Sequence, residues 1–274
     1  MILILTNKWD ISADFVVFEL RKRGYYPLRI NTEDIISTQA TINLPNLEIT
    51  FTKNNTTYNL LHNTSVIWNR RPEKPFKEIQ EDTELSKGLQ KFVNEQWSTW
   101  LEALQLVRKA IWINHPQANY LIENKVRQLV SADSIGFNIP QTTITNDISQ
   151  VKKLARSYEG QQIVAKALFS PLIEEPDQDF FIFANKIHLD DLSQPEEIRI
   201  CPSIYQQCLY PKVDYRVTVI GDAVLTARIE SDDSEKIDWR TDKDGAKFTQ
   251  CQLPIHVEQL CREFIRTNGL LFGA

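Results

Sequence analysis

In the stretch VDYRVTVIGDAVLTARIES, Val213 to Ser231, the two residues best equipped for chemistry are Asp214 and Arg216. Val213, Tyr215, Val217 and Val219 alternate with Asp214, Arg216 and Thr218, the period of a β-strand. Gly221-Asp222 then turns the chain and Ala223 to Ile229 returns as a second strand. Side chains two residues apart on a strand share a face, so a carboxylate and a guanidinium stand side by side on one surface of this hairpin. An ion pair on a wet sheet face explains that arrangement. So does an acid and a cation lining a cleft, and the hairpin alone leaves both open.

The elements around the hairpin begin with ILILT (Ile2 to Thr6), a short strand of the buried type. A helical pattern on Ala13, Val16, Val17 and Leu20 ends at Gly24, and YYPLRINTED supplies a second strand. This β-α-β start predicts a parallel sheet. ATINLPNLEITFTKNNTTYNLL reads as two exposed strands about a Lys53-Asn54-Asn55 turn, and SVIWNRRPEKP as a strand ending against Pro72 and Pro75. Arg70-Arg71-Pro72 either binds a carboxylate or closes this region. From Glu84 to Ile111, Leu85, Leu89, Phe92, Val93, Trp97, Trp100, Leu104, Val107 and Ile111 form one apolar stripe at helical spacing, a core face or a dimer seam.

A second series starts with a helix over NYLIENKVRQLVSADS, stopped by Gly136. It continues with a strand in FNIPQTTITND and a helix in DISQVKKLARSYEG, capped by Asp147 or Ser149. Strands follow in QQIVAKAL, which carries one internal lysine, Lys166, in DFFIFANKIH and in RICPSIYQQCLY. The opening hairpin comes next, then a helix over PIHVEQLCREFIRTNG.

Composition narrows the function. The 274 residues exceed the usual single domain, and 42% hydrophobic with 24% charged residues is ordinary globular composition. A formal net charge of -5 argues against nucleic acid as a partner. No apolar run approaches a membrane span, and the N-terminus lacks the pattern of a secretory signal, which implies a cytoplasmic protein. The cysteines (Cys201, Cys208, Cys251, Cys261) and the four histidines (His62, His115, His188, His256) show no zinc spacing, so the thiols are expected to be reduced. Only eight glycines occur, none spaced as G-x-G-x-x-G or as a P-loop, so a nucleotide would have to be held by charged side chains.

Taken in order, ILILTNKWDISAD with RINTED, WNRRPEKP, ENKVRQLVSADSIGFNIPQT, VAKAL, FIFANKI, PSIYQQ, KVDYRVTVIGD and DWR resemble the ATP-grasp superfamily. More narrowly they are similar to the microviridin-type peptide ligases, whose N-terminal pre-ATP-grasp domain is distinctive. The resemblance covers nearly the whole chain. It implies a mixed α/β and α+β chain: a Rossmann-like pre-ATP-grasp domain (1–115), a central or lid ATP-grasp subdomain (116–204) and an incomplete C-terminal ATP-grasp subdomain (205–274).

The resemblance also implies roles. Lys125, at a helix start, and Lys166 match the lysines that contact nucleotide phosphates from two lobes. An ammonium among Val164, Ala165, Ala167 and Leu168 is costly unless it meets an anion or snorkels to water. Tyr205, Gln206, Gln207, Cys208 and Leu209 match the hinge whose backbone reads adenine, with Gln207 at a position often acidic in relatives. Lys212 falls near the ribose. Asp214 and Arg216 line the cleft in related glutamate ligases, where Arg216 would stabilise charge on the γ-phosphate or acyl phosphate, and Asp214 would orient it or take the nucleophile's proton. Arg228 faces either the cleft or the surface. Asp238, Trp239 and Arg240 resemble the loop that contacts the peptide or closes the site. A homodimer is implied as well.

Two departures stand out. The loop LFSPLIEEPDQD carries Pro171 and Pro176 where relatives have small flexible residues over the triphosphate. The sequence ends at NGLLFGA, where the family starts a strand leading to the Asp, Glu and Asn that hold Mg²⁺, so those ligands are expected beyond residue 274 and no metal ligand is assigned within it. Two readings follow. One is an ATP-dependent ligase that activates an Asp or Glu side chain of a ribosomal precursor peptide, with leader and core as partners and ATP and Mg²⁺ as cofactors, to form ω-ester or ω-amide crosslinks. The other is a catalytically inactive or shortened homologue that binds a leader peptide or partner. A ligase joining free amino acids is a third.

Overall fold

The computed structural model describes residues 1–76, 85–158, 162–175, 178–193, 195–231, 237–242 and 245–274. The chain divides into two compact units, Met1–Asn119 with Gly269–Leu271, and Tyr120–Asn268 with Phe272–Ala274.

In the first unit, β1 (Ile2–Thr6) is paired in parallel with β2 (Leu28–Asn31) on one side and with β6 (Val66–Asn69) on the other, and β6 pairs in parallel with β7 (Ile111–Ile113). The apolar run of β1 suits a strand covered on both faces, and Leu3, Ile4 and Leu5 are buried. Helix α1 (Ile11–Lys22) connects β1 to β2, its first turn capped by the Asp10 carboxylate accepting from the Ala13 amide at 3.3 Å.

The segment expected to form two exposed strands forms three, β3 (Gln39–Asn43), β4 (Glu48–Lys53) and β5 (Thr56–Asn59). The turn lies at Asn54-Asn55, both with positive φ, as a two-residue hairpin turn requires. The exposure expectation fails at β4, where Ile49 and Phe51 are fully buried in the core of this unit with Leu3, Leu5, Ile30, Leu60 and Ile67. A short helix, α2 (Leu60–Asn63), follows β5.

The helix expected over Glu84 to Ile111 is shorter. Glu84 lies outside the described residues, α3 spans Lys87–Glu102, Ala103–Leu106 tightens into a 3₁₀ turn, and Ile111 opens β7. The apolar spacing outran the helix because Leu104 and Val107 are buried in the same core. Trp97 and Trp100 pack on that core, Trp100 with its ring 6.2 Å from that of Phe51, so the tryptophans serve packing. Arg70 pairs with Asp10 at 3.4 Å, and the Arg71 carbonyl accepts from the Asn7 amide, which fits closure of this region. Helix α4 (Pro116–Ile122) follows β7.

The second unit opens with α5 (Lys125–Ser134), set off from α4 by the Asn124 side chain, which accepts from the amides of Val126 and Arg127. An antiparallel sheet of order β12-β9-β13-β8 follows: β8 (Thr142–Thr145), β9 (Gln162–Lys166), β12 (Asn185–His188) and β13 (Ser203–Gln207). Helix α6 (Ile148–Arg156), capped by Asp147, buries Val151, Leu154 and Ala155 against Ile163 and Tyr205 on one face of it. The other face carries the alternate residues Val164, Lys166 and Gln206.

The strand expected in DFFIFANKIH is two. Strand β11 (Asp179–Phe181) pairs with β10 (Leu172–Glu174), and β12 begins only after the Ala184 amide has donated to Asp238 instead of to a neighbouring strand. A short helix, α7 (Pro195–Arg199), precedes β13.

The hairpin of β14 (Asp214–Ile220) and β15 (Ala223–Glu230) forms as expected, with Gly221 at φ 57° in its turn. It sits in a second antiparallel sheet, β16-β15-β14-β17, with β16 (Lys247–Cys251) and β17 (Phe272–Gly273) at its edges. Helix α8 (Ile255–Thr267) accompanies it, burying Ile265. No helix among the described residues is long and apolar enough to cross a membrane.

Candidate active site

The second unit holds a cavity of about 620 Å³, within the usual range for small-molecule sites. It is lined from β9 and β13 by Val164, Lys166, Gln206 and Gln207, from β14 by Asp214 and Arg216, and from the turn after residue 236 by Asp238, Trp239 and Arg240. Lys125, Leu209 and Lys212 complete the residues that the sequence singled out. The lining carries five cations, Lys125, Lys166, Lys212, Arg216 and Arg240, against two carboxylates, Asp214 and Asp238. In a chain of net charge -5 this is a local inversion of sign.

Both carboxylates are occupied. Asp214 forms its ion pair with Lys212. Asp238 accepts two hydrogen bonds from the Arg240 guanidinium, at 2.8 Å from Nε and 2.5 Å from Nη2, and others from the amides of Arg240 and Ala184. Burial alone would raise the Asp238 carboxyl, yet these donors hold it below the ordinary range, and the same contact keeps Arg240 more firmly protonated. The guanidinium of Arg240 also lies 5.8 Å and 5.9 Å from the ring centres of Phe181 and Phe183, within cation–π range. Trp239 packs edge-on to Phe248, their centres 5.3 Å apart.

The remaining three cations have no carboxylate partner among the described residues. The Lys125 ammonium donates to the carbonyls of Ala167 and Phe169 at 2.6 and 2.7 Å. Lys166 donates to the side-chain oxygen of Gln206 at 2.8 Å. Arg216 forms no ion pair with any of the described residues. Burial lowers the Lys125 ammonium, with Arg240 adding to the shift. Burial also lowers Lys166, with Lys212 acting in the same direction and Asp238 and Asp214 opposing it. An anion entering the cavity would offset both the burial of these ammonium groups and their repulsion by neighbouring cations.

Some predicted site residues lie elsewhere. The Tyr205 side chain is buried beside Val151, Leu154 and Ile163 on the α6 side of β13, while that of Gln206 faces the cavity. The half-buried Cys208 is not part of the lining. Arg228 is registered opposite Tyr215, so it occupies the hairpin face away from Asp214 and Arg216, and it pairs with Glu230 at 3.0 Å. Pro171 lines the cavity, and Pro176 lies outside the described residues.

Sequence reasoning missed Thr142, whose hydroxyl accepts from Gln206, and Phe169 and Ile182 on the cavity wall. Nothing in their local spacing marks them. The described residues contain no group of three or more His, Cys, Asp or Glu able to hold a metal ion, and Asp214 and Asp238 are held by their own cations. These residues do not fit a Mg²⁺ site.

No known family's sequence profile matches the chain, and no curated protein matches it by sequence. Solved structures do. A RiPP-associated ATP-grasp ligase from Chryseobacterium gregarium, in complex with ADP and a leader and core peptide, is 25% identical with a TM-score of 0.86 over 99% of this chain and 83% of its own. The chain has the ATP-grasp fold. The macrocyclase MdnC from Microcystis aeruginosa MRC, bound with precursor peptide MdnA, is 20% identical with a TM-score of 0.83, over 99% and 84% of the two chains. The ATP-grasp ligase PsnB, complexed with a phosphomimetic variant of its minimal precursor, Mg and ADP, is 19% identical with a TM-score of 0.74, over 99% and 82%. The cationic cavity of this fold is lined from β9, β13 and β14.

Proposed function

We propose that this chain is an ATP-dependent carboxylate ligase of the grasp type that acts on a ribosomally made precursor peptide. The observation that carries the reading is the cavity lined by Lys125, Lys166 and Arg216, which have neutral partners or none among the described residues. Resident carboxylates would have neutralised these cations in a purely structural network. Support also comes from the similar ATP-grasp ligases crystallised with ADP and peptide.

In this reading Lys125 and Lys166 hold phosphate oxygens, and Gln207 and Leu209, at the end of β13 and just past it, border the base. An Asp or Glu side chain of the peptide attacks the γ-phosphorus, and the bridging oxygen leaves with ADP. The resulting acyl phosphate is attacked at its carbonyl by a Ser or Thr hydroxyl or a Lys amine, which loses a proton as phosphate departs. Arg216 meets the negative charge that builds on the phosphoryl oxygens, and Asp214 takes the nucleophile's proton. The products are ω-esters or ω-amides.

The test is incubation with ATP, Mg²⁺ and the cognate precursor peptide, followed by mass spectrometry and ADP assay. Loss of one water per link with matching ADP release is expected. Peptide affinity without any ADP release overturns the ligase reading and leaves a peptide-binding module.

A further inference from the structure

Lys166 reaches across the sheet to a diagonal neighbour. In the β9–β13 register Gln206 stands opposite Val164 and Lys166 stands opposite Ile204, so the ammonium crosses two positions to meet the Gln206 amide. Gln206 is only 4% exposed and is itself tied down: its Nε2 donates to the Thr142 hydroxyl on β8 at 2.8 Å, and that hydroxyl donates to the Pro140 carbonyl at 2.8 Å. Lysine offers only donors, and a Thr142 hydroxyl whose proton goes to Pro140 offers Gln206 only lone pairs. Each end of the relay therefore fixes the amide the same way round, oxygen toward Lys166 and NH₂ toward Thr142. Three strands are joined in one line of hydrogen bonds that ends at a cavity cation.

We infer that Gln206 is a positioning residue for the nucleotide phosphates, holding the Lys166 ammonium at the cavity wall through an oriented, uncharged acceptor anchored by Thr142. This deepens the nucleotide reading above and rests on it. The neutrality of the acceptor is the functional point. A carboxylate at 206 would hold Lys166 more tightly but compete with phosphate for its charge. An apolar side chain would leave the ammonium without direction and the Thr142 hydroxyl without its donor.

The test uses Gln206→Glu, Gln206→Met and Thr142→Val in the full chain. The first readout is the pH dependence of amine labelling at Lys166 in the free protein, resolved by peptide mass spectrometry. The second is ATP affinity by calorimetry. Gln206→Glu is expected to move the Lys166 labelling midpoint upward by about one pH unit or more, the usual effect of an opposite charge at contact distance. It is also expected to weaken ATP binding about ten-fold, the share of one charged hydrogen bond. Gln206→Met and Thr142→Val are expected to speed Lys166 labelling at fixed pH and to weaken ATP several-fold. Thr142→Val preserves shape and leaves both Gln206 and Lys166 in place, so it answers the question even where a substitution at 206 impairs folding. Unchanged Lys166 labelling in the folded variants overturns the relay. Labelling that shifts as expected in a protein that does not bind ATP upholds the relay and overturns the nucleotide reading instead.

Discussion

Asp214 takes the ammonium of Lys212, two residues back on the chain, and leaves the guanidinium of Arg216, two residues on, without an ion-pair partner among the described residues. The pair that the sequence places on one strand face is thus divided: the carboxylate is paired with Lys212, and the guanidinium faces the cavity, open to an incoming anion. Arg216 stands at the cavity on the hairpin side, across from the β9–β13 face that carries Lys166. Arg216→Ala should therefore lower turnover by about 10²–10³, the usual loss of one donor aimed at developing charge, while ATP affinity changes far less. Arg216→Lys should recover only part of it, since an ammonium cannot reproduce a planar two-pronged contact. Steady-state kinetics with precursor peptide separates the two; an equal loss in affinity and turnover would make Arg216 a ground-state binder.

Burial and neighbouring cations depress both Lys125 and Lys166 in the free protein. A bound polyphosphate restores their ordinary preference for the proton. Below the depressed values both forms are fully protonated and binding moves no protons. Between those values and the ordinary 10.5, ATP binding should take up protons, to a limit of about one per lysine, and affinity should fall as pH rises. Calorimetry at alkaline pH in buffers of different ionisation enthalpy reads this uptake directly. Lys166→Ala should abolish its own share and weaken binding about ten- to a hundred-fold, as expected for one charged hydrogen bond.

The sequence made the cavity face of β9 legible because a single lysine interrupts an apolar run, and burial forces such a residue to have a reason. The hairpin was equally legible, with alternation and Gly221 defining both strands and turn. What stayed hidden was set by partners far along the chain. Strand alternation alone does not say which side of β13 meets α6, so the sequence did not show that the Tyr205 side chain packs in the core while that of Gln206 faces the cavity. Register across the turn likewise sends Arg228 to the face opposite Arg216. The long helix was overextended because core burial of Leu104 and Val107 imitates helical spacing after the helix has ended.

Tyr205 and Leu209, four residues apart, should separate cleanly by experiment. Tyr205→Ala removes a side chain only 4% exposed in the α6 core and should cost about 3 kcal/mol in urea unfolding. Leu209→Ala alters a half-exposed residue on the cavity wall and should leave stability nearly unchanged while weakening ATP several-fold. Nucleotide affinity that tracks Tyr205 rather than Leu209, at equal fraction folded, would move the base to the other face of β13.

Asp238 should act on stability through pH. Its side chain is 5% accessible while that of Arg240 is 47%, so the pair is buried on the acid side and screened on the other. Asp238→Asn keeps the shape but loses the charge that draws Arg240, and should cost about 1–3 kcal/mol at neutral pH, the range for a hydrogen bond to a charged group. The folded carboxyl binds its proton more weakly than the unfolded chain does. The stability it contributes is therefore complete above the ordinary value of 3.8 and is lost as pH falls through the lower folded value. Urea unfolding of both proteins from neutral pH down to about pH 2.5 should show their curves converging below pH 3.8. Parallel curves throughout would mean that Asp238 serves Arg240 and Ala184 only as a neutral acceptor.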